Sequence, residues 1–420
     1  MSAQMSVERA RVVVTGLGAV SPVGIGVAAN WEALLAGRSG IGPITAFDAS
    51  ALPVRISGEV RGFDPADWLE KKDIKKVDRF AQFAIAAAQM AVDDAALRVV
   101  PEQAGRVGVV IGVGMGGLAT IEEFHKAFLE GGMKRLSPFL IPRVIANMAP
   151  GLVAIRFGCT GVNYTPTSAC ASGGQGVGEA FRLVRQGEQD VVICGGAEAA
   201  ITPMGVSGFA VMRAMSTRND EPTGASRPFD RDRDGFVIGE GAGILVVESL
   251  DHARARGARI YAELVGYGAN CDAYHITSPA PEGRGAAECM RLALASGGIA
   301  PEEVGYINAH GTSTPYNDAN ESQAIARLFG DHAARLAVSS TKSITGHLFG
   351  GAGGVEAVYT TLAVHHGILP PTINYETPDP DCPLDYVPNA ARPAPVRVAL
   401  SNSFGYGGAN ACVAFRRWEE

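Results

Sequence analysis

The stretch with most to do chemically is TPTSACASGGQGVG, residues 165–178, with Cys170 at its centre. The run 162–167 predicts a buried strand that stops at Ser168, whose hydroxyl suits a helix N-cap. A helix of small residues is then expected over 169–185. A sharp strand-to-helix turn of this kind lifts one side chain out of a sheet. Here the lifted atom is a sulfur at a helix N-terminus. Free N–H groups and the local positive potential favour thiolate there, so the thiol pKa is expected to fall. Gly173, Gly174, Gly176 and Gly178 weaken a free-standing helix and predict close packing on another backbone. The plainer alternative is a small, inert core cysteine.

Three further stretches carry polar side chains at the ends of apolar strands, where parallel α/β proteins place chemistry. NAHGTSTPYND, 308–318, offers His310 with the hydroxyls of Thr312 and Thr314. SSTKSITGHLFGGAGG, 339–354, offers Lys342 and His347, with Glu356 one helix turn beyond. SNSFGYGGAN, 401–410, has glycines that let backbone N–H groups approach a ligand. Each histidine alone reads as structural and Lys342 alone as a solvated charge. Four such elements together point instead to one constellation. Of the eight histidines only His310 and His347 sit in glycine-flanked turns.

Apolar strands and helices must position these groups. Strands are expected at 11–15, 107–112, 190–195 and 241–249, then at 260–268, 305–308, 336–340, 397–401 and 411–415. Helices are expected at 78–96, 143–157, 286–296, 318–329 and 353–365, and a long polar loop at 209–235. The repeated order suggests two similar halves, 1–257 and 258–420, with a cap region at about 112–160. The glycine-rich helices after Cys170 and His347 are the candidates for a shared central layer. GVGMGG, 112–117, superficially matches a dinucleotide fingerprint, but no acidic residue closes a second strand some 20 positions on.

A chain of 420 residues suffices for two packed halves. Only 19% of residues are charged, which predicts surface buried in a homodimer, and the net charge of −7 argues against general nucleic-acid binding. Seven cysteines without CxxC or Cys/His spacing indicate neither a disulfide frame nor a zinc site. A free nucleophilic thiol suits a reducing cytoplasm. There is no signal-peptide h-region and no run long enough to span a membrane.

TSACASG, the run 216–243, NAHGTSTPYND, TKSITGHLFGGAGG and SNSFGYGGAN together resemble the elongating type II β-ketoacyl-[acyl-carrier-protein] synthases of the thiolase superfamily, across essentially the whole chain. The resemblance implies an α/β, thiolase-like duplicated fold, two mixed sheets in a five-layered αβαβα arrangement. It implies that Cys170, His310 and His347 form the Cys-His-His set, with Lys342, Glu356 and a gating Phe404. Cys170 would take an acyl group from acyl carrier protein, with the N–H groups of Cys170 and Phe404 as oxyanion hole. The histidines would hold the enolate left by decarboxylation of malonyl thioester. Thr312 and Thr314 would bind phosphopantetheine, and Met115, Phe139 and Phe209 would line the acyl pocket. The acidic carrier would dock on Lys71, Lys72, Lys75, Lys76, Lys134, Arg135 and Arg213, although such a run also reads as a solvated face. No cofactor of the protein's own is implied beyond the carrier's phosphopantetheine arm, and Asn308, Glu356 and Asn402 would lie near a structural cation.

Two departures stand out. Asn317 replaces a glycine, and asparagine tolerates a left-handed turn. Tyr406 replaces a phenylalanine near the gate. Thiolase chemistry would need a second cysteine in 404–410, and an initiating synthase would have asparagine in place of His347. A silent chain-length-factor-like subunit would lack Cys170. A polyketide or mycolate-type elongating synthase stays open beside fatty-acid elongation.

Overall fold

The computed structural model describes residues 9–419. Apart from the two-residue strand Gly24–Ile25 paired on β1, ten strands build its main sheet: β1 Val12–Ser21, β2 Val107–Gly112, β3 Asn163–Tyr164, β4 Val191–Glu198 and β5 Gly241–Ser249, then β6 Ala262–Cys271, β7 Val304–Asn308, β8 Ala337–Ser339, β9 Val398–Phe404 and β10 Ala409–Arg417. In space the first five run β1-β5-β4-β2-β3 and the second five β6-β10-β9-β7-β8. The two orders are the same, and so are the directions: two antiparallel pairings followed by two parallel ones in each half. The duplication inferred from element order is therefore a duplication of topology. A short antiparallel ladder, Val12–Val14 against Ala262–Leu264, joins the two mixed sheets edge to edge.

Three apolar cores separate the layers. Helix α1, Arg79–Asp94, covers the outer face of the first sheet, and its run of alanines lets it lie close to β1. Helix α2, Leu118–Gly131, belongs to the cap. Helices α3, Ser172–Arg185, and α6, Ala352–His366, lie between the sheets and touch strands of both. Helices α4, Arg284–Gly297, and α5, Pro315–Phe329, cover the second sheet from outside. The result is the expected αβαβα sandwich.

The glycines explain the middle layer. A Cβ on Gly353 would lie 2.2 Å from the Gly174 nitrogen, and one on Gly173 would lie 2.6 Å from the Gly350 oxygen. Helices α3 and α6 thus cross backbone to backbone, and close packing supplies the stability that glycine forgoes in a helix.

Several local expectations fail. The buried strand over 162–167 shrinks to Asn163–Tyr164, partly exposed at the sheet edge, because Thr165 to Ser168 turn toward the nucleophile. The helix over 143–157 breaks into Leu140–Val144 and Met148–Phe157, with Ile145 extended between them. The polar loop 209–235 begins only after a helix that ends at Val211, and part of it is interior. Its Arg227, Asp230 and Arg233 are buried, and Arg227 and Arg233 reach Glu376 and Asp379 of the second half at 2.9 and 2.5 Å. Asn317 lies in the first turn of α5 and needs no left-handed conformation; Ser313, at φ 70°, makes the turn before it.

Substituting Gly353→Val should cost about 3 kcal/mol by overpacking the helix crossing. Gly151→Ala, at a helical site with nothing within 4 Å of the added Cβ, should be neutral or stabilising. Thermal denaturation of the two variants checks the contrast, and equal melting temperatures would contradict the crossing.

Candidate active site

Three loops from the C-terminal ends of β-strands and one hairpin converge on a cavity of about 300 Å³, lined by Cys170, His310, His347, Phe349, Phe404, Tyr406, Thr312, Thr314 and Arg213, among others. Cys170 sits in a 3-10 turn, Ala169–Ala171, that runs straight into α3. Ala169 is held at φ 50°, a strained conformation for a residue with a Cβ, and this kink turns the sulfur toward the cavity. Ser168 does not cap the helix. Ser172 fastens the elbow instead: its hydroxyl accepts from the Ser168 N–H at 2.8 Å and donates to the Ala169 carbonyl at 2.7 Å.

The thiol departs from expectation. Cys170 is 8% exposed and packs in an apolar cluster with Phe236 and Phe349. Burial pushes its pKa up to about 12, against the opposing pull of Lys342 and of backbone N–H groups. The resting sulfur is therefore a thiol, because the desolvation cost of a buried anion outweighs the helix N-terminus here. The amides that reach it belong to Cys170 itself and Tyr406, not to Phe404. Phe404 ends β9 in register with Asn410, and only after Gly405 does the chain turn, with Gly407 at φ 81°, to bring Tyr406 over the sulfur.

His310 and His347 stand with ring centroids 5.3 Å apart and nearly perpendicular. Both pKa values fall well below the ordinary histidine value, through burial first and the Lys342 charge second. Both rings are thus neutral across the physiological range. Lys342 is no solvated charge: it is 1% exposed and ion-paired to Glu356. The Glu356 carboxyl is pushed up to about 7 by burial, with Lys342 acting the other way. Glu321 was missed in the sequence. It accepts the N–H groups of His310 and Gly311 at 2.9 and 2.8 Å and so holds the His310 turn. Its spacing of one helical face from Asp318 was the available signal.

Phe404 lies 5.6 Å from the His310 ring, at the cavity wall. Thr312 and Thr314 hydrogen-bond each other at 2.9 Å and line the mouth. Of the three residues expected in an acyl pocket, only Phe209 packs in the cluster around Cys170, stacked on Phe349 at 4.7 Å. Met115 and Phe139, each 38% exposed, lie outside the cavity on the cap surface. Lys71, Lys72, Lys75, Lys134 and Arg135 are exposed, and Lys76, part-buried, lies 5.5 Å over the Phe139 ring, joining the two lysine segments on one face. Exposed Arg213 stands apart, at the cavity itself. Lys72 and Lys76 have acidic neighbours, Glu70 and Asp73.

All seven cysteines are free, and Cys412 is buried in β10. No helix among the described residues is long and apolar enough to cross a membrane.

Residues 9–253 match the Beta-ketoacyl synthase N-terminal domain and residues 261–376 its C-terminal domain. The chain is 54% identical over 414 residues to the 3-oxoacyl-[acyl-carrier-protein] synthase 2 of Synechocystis sp., covering 99% of this chain and all of that protein. It is 52% identical to the protein of the same name from Coxiella burnetii, over 98% of this chain and 99% of that one. Among solved structures, the ishigamide ketosynthase/chain length factor superposes with a TM-score of 0.91 at 40% identity, covering 98% of this chain and 100% of that one. A type II ketosynthase solved with its acyl-carrier protein (AntDE:AntF) gives 0.89 at 35%, with the same coverage.

With the thiol this far raised, alkylation of Cys170 by iodoacetamide should climb with pH through pH 9 without a plateau, since only thiolate reacts. A plateau below pH 8, read by mass spectrometry of the Cys170 peptide, would show the helix terminus winning over burial.

Proposed function

The chain belongs to the β-ketoacyl synthase family, and from that we propose how its residues divide the work of elongating condensation in fatty-acid synthesis. The reaction joins an acyl group to a malonyl unit with loss of carbon dioxide. Neutral His310 and His347, side by side over a buried cysteine, are the observation that carries the reading.

In the first half-reaction the Cys170 sulfur attacks an acyl thioester. The Cys170 proton leaves with the departing pantetheine sulfur, and the tetrahedral oxyanion is met by the N–H groups of Cys170 and Tyr406. In the second, malonyl thioester enters and its carboxyl–carbon bond breaks. The electron pair moves onto the thioester oxygen as an enolate, which accepts hydrogen bonds from His310 and His347. The enolate carbon then attacks the acyl carbon, the C–S bond to Cys170 breaks, and the sulfur leaves as thiolate and takes up one proton from water to restore the thiol. Neutral donors suffice because the charge develops on oxygen in a dry cavity. Burial keeps both rings unprotonated, and Lys342, paired with Glu356, adds to this through its charge and touches no substrate. Thr312 and Thr314 at the mouth would hold the phosphopantetheine arm, and Phe404 at the wall would gate the acyl chain.

The partner is an acidic acyl carrier protein, docking on Lys71, Lys72, Lys75, Lys76, Lys134 and Arg135, with Arg213 beside the entrance. This local excess of positive charge on a chain of net charge −7 supports electrostatic steering. The exposed cap residues Leu129, Met133, Ile141 and Ile155 support a homodimer that would cover them, and Met115 and Phe139 would then line an acyl pocket completed across that interface. Seven free thiols suit the cytoplasm. Near the Lys342–Glu356 pair, Asn308 Oδ1, Glu356 Oε2, Ser401 Oγ and Asn402 Oδ1 are buried without a partner. No cluster of three His, Cys, Asp or Glu side chains among the described residues could hold a metal, but these amide, hydroxyl and carboxylate oxygens fit a hard cation. Such an ion would offset the buried carboxylates and take no part in bond making. Identities of 54% and 52% to the 3-oxoacyl-[acyl-carrier-protein] synthases, against 35% to the ketosynthase of a type II PKS, support fatty-acid over polyketide substrates.

Cys170→Ala should abolish acyl transfer, while Cys170→Gln should retain malonyl decarboxylation, followed as carbon dioxide release. Full condensation by either variant refutes the nucleophile. Reversing charge at Lys134 and Arg135 together should raise KM for carrier-bound substrate by about tenfold and leave KM for a small pantetheine thioester in place. Equal shifts for both substrates argue against docking there.

A further inference from the structure

One strongly buried carboxylate has no role in the scheme above. Glu198 ends β4 with no solvent exposure and meets no cation. Its oxygens instead accept from four backbone N–H groups on two other loops: Gly114 at 2.8 Å, Met115 at 3.1 Å and Gly116 at 3.2 Å from the cap side, and Gly350 at 3.2 Å from the turn after His347. The glycine turn 112–117 therefore cradles the protein's own carboxyl group, which burial pushes up to about 7 against the opposing pull of these four N–H groups.

The cradle stands directly behind both reactive turns. A Cβ on Gly114 would lie 2.5 Å from Glu198 Oε2, 3.3 Å from the Gly350 nitrogen and 3.5 Å from the Ala169 oxygen. Ala169 precedes the nucleophile and Phe349 follows the His347 turn; both are held at positive φ, 50° and 46°. Phe349 lines the cavity and lies 4.9 Å from the His347 ring. Strained backbone persists only where its surroundings hold it; Glu198 bonds the Gly350 N–H beside Phe349, and Gly114, which it also holds, lies against the Ala169 carbonyl.

We propose that Glu198 is a positioning residue for condensation: its carboxyl group pins the cap turn and the Phe349 turn against the back of the Cys170 elbow. The charged and titratable groups around that sulfur are Glu198 behind it, Lys342 opposite, the Tyr406 hydroxyl, and neutral His310 and His347 across the cavity. Glu198 raises the Cys170 pKa and Lys342 lowers it. The proposal rests on the condensation reading, but alkylation reports on the sulfur without any carrier-bound substrate. A wild-type protein that alkylates as described yet condenses nothing would sink that reading, whereas a wild-type protein that condenses and Glu198 variants that condense equally well would sink this proposal alone.

The test pairs Glu198→Gln with Glu198→Asp. Gln removes the charge and puts an amide N–H₂, which cannot accept, in place of one of the two accepting oxygens; Asp keeps the charge but withdraws it by one methylene. Both should lower kcat for condensation about tenfold or more. Only Gln should speed Cys170 alkylation by iodoacetamide at a fixed pH of 8, by about tenfold if the thiol pKa falls by about one unit. If both variants melt early while alkylation stays at the wild-type rate, or if condensation is unchanged in either, the proposal is overturned. Should Gln fail to fold, Asp with slowed condensation and wild-type alkylation supports it, and Asp with normal condensation overturns it.

Discussion

Everything in the site hangs on two helices that touch through bare backbone. Where α3 and α6 cross, Gly173 and Gly353 leave no room for a methyl group against the opposite backbone, and Gly174 and Gly354 leave none against the strands on either side. The crossing brings the start of one helix, with Cys170, against the turn that leads into the other, with His347. Separated by one layer of ordinary side chains, sulfur and imidazole would belong to different cavities. The low helix propensity of glycine is the cost of that approach, and the apolar core between the sheets offsets it.

A second constraint is electrostatic. The cavity floor is dry, and dryness alone would raise a thiol, lower an imidazole and raise a carboxyl; all three shifts occur. One buried cation, Lys342, biases the whole set. It pulls the thiol down, pushes both histidines further from protonation and holds Glu356 as its partner. A chemistry that needs neutral hydrogen-bond donors facing a developing oxyanion is served by such an arrangement, whereas imidazolium rings would favour proton transfer instead.

The duplicated topology bears on how the reactive groups are shared. The first half supplies the nucleophile from the loop after β3, and the second supplies His310 from the corresponding end of β7 and the Lys342–His347 segment after β8. The 216–235 loop, tied through Arg227 and Arg233 to Glu376 and Asp379, fastens the halves beside the cavity. Its charged composition suggested solvent, since single residues there look like a hydrophilic loop; only their partners, some 146 to 149 positions away, turn them into an internal clamp.

Strand 107–112, strand 241–249 and the two glycine helices could be read directly, because apolar runs and glycine clusters record burial and close approach in local composition. Cys170, His310, Lys342 and His347 could be read for the same reason: each stands beside glycines at the end of such a run. Local composition says nothing of where a chain turns at a strained residue, so Ala169, the break before Met148 and the Tyr406 amide were invisible, as was the shortening of strand 162–167. The direction of the thiol shift was misread because a helix terminus is a sequence feature, while desolvation depends on what the other half of the molecule packs over the sulfur. Residue types and their order determined the fold and the reactive groups. The distances between those groups, and the charge state that burial imposes on them, were decided only when the two halves closed on each other.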